Sequence, residues 1–250
     1  LFFYIFQELT EVELQQFYEM VAQRAENLPT AYILGLAPFY KSEFIVNSSV
    51  LIPRPETEEL VETVLKNVPL AKNYKIIDFG CGSGCIALSL LKEKINSTAL
   101  FVDLSSAALD VARCNAKKLD LLDRSYFLNK SVEDITNEDL KAVFHSSVDV
   151  VVANPPYIST QSCAVGESVI KYEPHLALFG GEKGWEKYEG WAQKAYDFLQ
   201  PNGLFACEIG YDQKEVLKEL FTQSFLWLDM QFYQDLSGRD RIVTLKKGNN

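Results

Sequence analysis

Covalent staples and metal ligands are scarce in this chain. Its five cysteines, Cys81, Cys85, Cys114, Cys163 and Cys207, are odd in number and scattered, which argues against a disulfide framework and points to a reducing compartment. The two histidines, His145 and His175, stand alone, and no second pair accompanies Cys81 and Cys85, so no metal site is expected. The apolar opening, Leu1 to Phe6, falls far short of the ~20 residues a membrane helix needs, so no membrane span is expected. An initiator methionine is missing; the chain reads as starting inside a longer protein, with any targeting segment lost. Positive charge is also short: 24 Lys and Arg stand against 34 Asp and Glu, a net charge of -10. Such a surface repels a phosphate backbone, which disfavours nucleic acid as a partner.

What remains is ordinary globular material, 48% hydrophobic and 23% charged over 250 residues, enough for one domain with a smaller appendage. Val12, Leu14, Phe17, Met20, Val21 and Ala25 recur at helical spacing, and Thr10 with Glu13 makes a capping box, so an amphipathic helix is expected over 10–26. Tyr32 to Leu51 mixes aromatic and β-branched residues around Gly35 and Asn47, as a small hairpin would. Pro53 and Pro55 hold Arg54 extended, and Glu56, Glu58 and Glu59 open the next helix with favourable charge.

Beyond this point strands and helices alternate. Strands are expected at 75–79, 98–102, 125–128, 148–153 and 204–208, and helices at 85–94, 106–119, 186–198 and 213–221. Such alternation implies a mostly parallel sheet covered on both faces. The runs 225–233 and 241–246, joined by Asp235-Leu236-Ser237-Gly238, end the chain as an antiparallel hairpin.

Two motifs carry chemistry. Gly80-Cys81-Gly82-Ser83-Gly84 follows the first of these strands and opens a helix, where glycines let the backbone turn tightly and approach a ligand. Asp103 ends the next strand, nineteen residues after Gly84, a spacing at which a carboxylate accepts hydrogen bonds from ribose hydroxyls. Together they indicate an adenosine-type ligand, and on the loop alone a nicotinamide or flavin cofactor stays open. The second motif, Asn154-Pro155-Pro156-Tyr157, ends the apolar strand 148–153 on the ligand-binding edge of the sheet. Its prolines lack N–H groups, so the Asn154 side-chain oxygen and a main-chain carbonyl form a pair of acceptors with few competing donors. A planar NH2 group, amide or exocyclic amine, matches that pair, and Tyr157 can pack on its flat face.

Asn-Pro-Pro-Tyr with the preceding glycine loop resembles the class I methyltransferases that modify glutamine N5 or adenine N6. Ile52-Pro53-Arg54-Pro55-Glu56-Thr57-Glu58-Glu59-Leu60, Tyr32-Ile33-Leu34-Gly35, Tyr172-Glu173-Pro174-His175-Leu176-Ala177-Leu178 and Asp235-Leu236-Ser237-Gly238 look like the release-factor glutamine methyltransferases, the HemK/PrmC family. The resemblance implies an α/β fold with a Rossmann-like, seven-stranded methyltransferase sheet at 54–250, a hairpin linker at 31–53 and a partial, substrate-docking helical domain at 1–30. It implies S-adenosylmethionine held by Gly80, Cys81, Gly82, Ser83, Gly84, Asp103 and Asn154, with adenine near Ser131 and Val132. Family members often carry an acidic and an aromatic residue there; this chain does not, and Glu133 is read as taking part of that role. Asn154, Pro155, Pro156 and Tyr157 would hold the glutamine of the Gly-Gly-Gln loop of peptide chain release factors, with Asn154, Pro155 and Tyr157 as the catalytic set. Arg54 and Glu56 are assigned to the substrate side, with a structural salt bridge as the competing reading. A monomeric cytoplasmic enzyme is expected, an organellar location staying open. The alternatives are an adenine-N6 nucleic-acid methyltransferase, disfavoured by the acidic charge, a ribosomal-protein glutamine methyltransferase, disfavoured by the Pro55-Glu56-Thr57-Glu58 form of the signature, a catalytically idle adenosine-binding module and a dinucleotide oxidoreductase.

Overall fold

The computed structural model describes residues 8–69, 73–94, 96–163, 165–224 and 227–249; the apolar opening Leu1 to Phe6, and Phe225 at the start of an expected strand, lie outside them. The chain begins with α1 (Glu11–Ala25), capped as expected: Thr10 Oγ1 accepts from the Glu13 N–H and Glu13 Oε2 accepts from the Thr10 N–H at 2.8 Å. None of its residues is buried. The hairpin is shorter than the sequence implies. Tyr32 lies in a single helical turn, α2 (Thr30–Leu34), which follows the φ-restricted Pro29 and is stopped by the left-handed Gly35; the strands proper are β1 (Leu36–Phe39) and β2 (Ser42–Ile45). Arg54 is extended, with Pro55 opening α3 (Pro55–Asn67) and Glu56 and Glu58 in its first turn.

The alternating part runs β3 (Lys75–Phe79), α4 (Cys85–Glu93), β4 (Thr98–Asp103), α5 (Ser106–Lys118), β5 (Ser125–Asn129), α6 (Asn137–Phe144) and β6 (Val148–Ala153). A strap follows that sequence periodicity did not reveal: β7 (Ile158–Ser159), α7 (Glu167–Tyr172), α8 (His175–Leu178) and β8 (Phe179–Gly181), with β7 and β8 paired in parallel. Then come α9 (Glu186–Phe198), β9 (Leu199–Glu208), α10 (Lys214–Ser224), β10 (Trp227–Gln234) and β11 (Asp240–Lys247). β9 begins earlier than expected because Leu199 already pairs with Val148, and a register irregularity separates that pair from Val150↔Leu204.

Seven strands form one sheet in the order β10-β11-β9-β6-β3-β4-β5. β3, β4, β5, β6 and β9 are parallel, and β11 runs against both neighbours. The two-residue period of the strands divides the core. Ile76, Phe101, Val150, Val152 and Ala206 pack with Leu60, Ile86 and Leu109 of α3, α4 and α5; Ile77, Phe79, Val102, Val151 and Phe205 pack with Phe144, Trp191 and Phe221 of α6, α9 and α10. All six residues of β6 are buried, as expected for a strand covered on both faces. Register also sets the site. Phe79 lies opposite Val102 and Ala153, and Ala153 opposite Cys207, so Asp103, Gly80, Asn154 and Glu208 come side by side at the carboxyl edge.

Candidate active site

The glycine loop turns on three left-handed residues, Gly80, Gly82 and Gly84, with φ of 65°, 53° and 78°. At Gly80 a side chain is excluded twice, since a Cβ would also sit 2.9 Å from the Trp191 ring. The turn is tied down from both sides. The Cys81 N–H donates to Val102 O, Gly84 N–H to Cys81 O at 2.8 Å, and Gly82 N–H to Asp103 Oδ2 at 2.9 Å. Asp103 Oδ1 accepts from the Ser105 N–H at 2.8 Å, leaving each oxygen a further lone pair for a ligand hydroxyl.

Beside the loop lies a cavity of about 300 Å³, within reach of the size range of small-molecule sites. Gly80, Cys81, Gly82, Ser83, Asp103, Val132 and Glu133 line it, as do Asn154 and Pro156 of the second motif. So do Thr57, Trp191 and Ile86, together with Val50 to Arg54 (Ile52 excepted) and Pro174, Leu176 and Ala177 of the strap. Apolar walls from Val132, Ile86 and Trp191, a hydroxyl-accepting carboxylate and a close-approach backbone fit an adenosine-bearing ligand. Glu56 is exposed on α3 and does not line the cavity. Pro155 is buried behind it, and Tyr157 is turned away, its hydroxyl donating to Glu208 Oε1 at 3.0 Å. Arg54 lines the cavity and is also ion-paired, Nη2 to Glu173 Oε1 at 2.6 Å, while Glu173 Oε2 accepts from the Ile52 N–H. The salt-bridge reading of Arg54 is thus realised, with a partner in the strap.

The Asn154 amide is oriented by a side chain of α3. Its Nδ2 donates to Thr57 Oγ1 at 3.2 Å, and the Thr57 hydroxyl donates to Glu208 Oε2 at 2.6 Å. With its proton committed to a carboxylate, Thr57 can only accept from Asn154, so the amide must present NH2 to Thr57 and keep Oδ1 as its open acceptor. The Asn-Pro-Pro-Tyr segment is seated against the strap, where a Cβ on Gly180 would meet Pro156 O at 2.2 Å.

Burial dominates the titration of this edge. It pushes the Asp78 carboxyl up to about 8, against a hydrogen bond from the Ala87 N–H and with help from the Asp103 charge. Asp78 Oδ1 is buried without a hydrogen bond. Glu208 is also raised by burial, opposed by the Thr57 and Tyr157 hydroxyls and by Arg241. Burial raises Asp103 against three backbone N–H groups, and pushes the Cys81 and Cys85 thiols up, that of Cys85 to about 12. Those thiols are poor metal ligands in this state. Burial acts to raise Glu133, but its own N–H, Lys187 and Trp191 outweigh it and leave the carboxyl low. No helix among the described residues is long and apolar enough to cross a membrane.

The sequence reading did not include Thr57, Glu208, Glu173 or Trp191 in the site. Thr57 and Glu173 fall inside the segments that carry the family resemblance, and Glu208 is a carboxylate closing an apolar strand on the ligand-binding edge; Trp191 carries no such signal.

Comparison with known proteins agrees with this architecture. A family model described as the methyltransferase small domain matches residues 56–182. A release factor glutamine methyltransferase of Streptococcus pneumoniae is 40% identical over 98% of this chain and 84% of its own length. A bifunctional methyltransferase of Rickettsia typhi is 36% identical over 97% of this chain; the chain spans about half of that protein, 49%. The crystal structure of a methyltransferase from Pyrococcus furiosus shares the fold, with a TM-score of 0.56 at 15% identity over 94% of this chain and 98% of the other. The chain belongs to the release factor glutamine methyltransferase family.

Proposed function

We propose that this protein transfers a methyl group from S-adenosylmethionine to the side-chain amide nitrogen (N5) of a glutamine, that of the Gly-Gly-Gln motif of peptide chain release factors. The observation that carries the reading is the fixed polarity of Asn154: its NH2 is held by Thr57, so its oxygen is offered to a donor. A glutamine amide brings two coplanar N–H donors, one for Asn154 Oδ1 and one for a main-chain carbonyl of the proline pair, which has no N–H to compete.

The loop from Gly80 to Gly84, Asp103, Val132 and Glu133 would hold the cofactor, with Asp103 on the ribose. S-adenosylmethionine would supply an electrophilic methyl group when bound, with S-adenosylhomocysteine as the product and one amide proton released to solvent. The protein's part is positioning: an amide nitrogen is a weak nucleophile, and acceptors whose grip tightens as its N–H groups become more acidic act mainly in the transition state. Orientation of the two reactants can supply about 7–11 kcal/mol of barrier reduction. Arg54 is placed on the substrate side of this reading, α1 and the hairpin in docking, and Pro155 and Tyr157 in supporting Asn154. A reducing, cytoplasmic setting suits the five free cysteines.

The test is transfer of label from S-adenosylmethionine to three acceptors: a release factor, the same factor with its loop glutamine changed to alanine, and DNA. Label on the unaltered factor alone is expected; label on DNA, or equal label on both factor forms, contradicts the reading.

A further inference from the structure

We propose that Thr57 and Glu208 are positioning residues for methyl transfer, forming a buried relay that locks the Asn154 side chain with its oxygen toward the acceptor amide. The inference rests on the glutamine-amide reading and extends it to two residues on different elements, 151 positions apart in sequence.

The geometry allows one polarity. Glu208 is 1% exposed and Thr57 2%; both carboxylate oxygens are filled by hydroxyls, Oε2 by Thr57 at 2.6 Å and Oε1 by Tyr157 at 3.0 Å. Glu208 in its ionised form, which the Thr57 and Tyr157 hydroxyls favour against the burial that raises its pKa, is acceptor-only, so both hydroxyl protons point at it. Thr57 Oγ1 then has only lone pairs for Asn154, and Nδ2 at 3.2 Å supplies the proton. A carboxylate kept in the core without a hydrogen-bonded cation is costly. The groups acting on it electrostatically, Arg241 and Glu56, differ in sign, and the Arg241 side chain is hydrogen-bonded to Asp235 instead. Helix α3 needs no hydroxyl at Thr57, whose own N–H bonds Arg54 O as part of the first turn. A valine would fill the same volume.

Reversing the relay turns the amide round. When the amide of Glu208→Gln keeps its oxygen on the Tyr157 hydroxyl and turns its NH2 to Thr57, the Thr57 proton is redirected to Asn154, whose oxygen must then face Thr57 while NH2 faces the acceptor. Two NH2 groups confronting one another do not hydrogen-bond, and the nucleophile loses its alignment.

The experiment compares Thr57→Val, Thr57→Ser and Glu208→Gln with the wild type in kcat and KM for a release factor, in S-adenosylmethionine affinity and in thermal midpoint. Its second readout is solvent exchange of the Asn154 side-chain amide by NMR in the absence of substrate. The relay predicts a kcat lowered about 10- to 100-fold in Thr57→Val and Glu208→Gln, the range of a lost hydrogen bond to a charge-linked group. Thr57→Ser, which keeps the hydroxyl and drops a methyl, should stay within about threefold, a change smaller than one lost hydrogen bond. One slowly exchanging Asn154 amide proton should be present in the wild type and Thr57→Ser and lost in Thr57→Val. A packing role gives the opposite order, valine retaining activity and serine losing stability. Valine as active as serine, or a protected Asn154 proton in Thr57→Val, overturns the relay while leaving the glutamine reading intact. A wild type that binds S-adenosylmethionine yet labels no release factor overturns both.

Discussion

The Arg54 guanidinium reaches across to Glu173 at 2.6 Å, joining the extended segment before α3 to the strap that bears Pro174, Leu176 and Ala177. The Glu173 side chain is 1% exposed and that of Arg54 34%, so removing the arginine strands a buried carboxylate, eased by the Ile52 N–H. Breaking a fully buried pair costs about 3–5 kcal/mol; with Arg54 one-third exposed, about 2 kcal/mol is expected for Arg54→Ala. For a domain of this size that is a fall of roughly 4–8 °C in Tm. Because both partners' segments wall the cavity, S-adenosylmethionine affinity should fall as well. Calorimetric melting and titration check the pair, and an unchanged Tm contradicts it.

Asp78 makes stability depend on pH. Its folded-state pKa is raised by burial to about 8 from 3.8, so the native state holds a proton that the unfolded chain releases above pH ~4. Its contribution is therefore complete below about pH 4 and is lost as pH rises through about 8, at up to roughly 1.4 kcal/mol per unit between them. Asp78→Asn should flatten this limb and be more stable than the wild type at about pH 8. Urea unfolding of both proteins from pH 5 to 8 gives the comparison; parallel curves would show that Asp78 is not protonated in the fold.

Gly80→Ala is expected to weaken cofactor binding about 10-fold or more and to cost roughly 1–3 kcal/mol, because φ of 65° and a Cβ 2.9 Å from Trp191 both oppose it. Isothermal titration and melting measure the two effects. Affinity and Tm both at wild-type values would mean that the loop does not need its observed turn.

The parallel sheet, the seven strands and the two motifs were legible because their signals are local: alternating strand-like and helix-like runs, glycines after a strand, prolines closing one. Local signals also gave the Thr10 and Glu13 cap, realised at α1. Thr57 and Glu208 were not read as a pair because only strand register and the packing of α3 on β9 bring them together. Trp191 sits on a buried stripe of α9 with Tyr188, Ala192 and Ala195, a pattern indistinguishable from plain core until the cavity is seen. The strap carries elements of two to six residues, too short for periodicity to register.

Asn154 is where the account meets its most direct test. A release factor incubated with S-adenosylmethionine and either the wild type or Asn154→Ala is digested, and the loop peptide sequenced by tandem mass spectrometry. One methyl group on the glutamine side-chain amide with the wild type, and none with a folded Asn154→Ala that still binds cofactor, is the predicted result. Methylation at another residue, or an undiminished yield from Asn154→Ala, would contradict it.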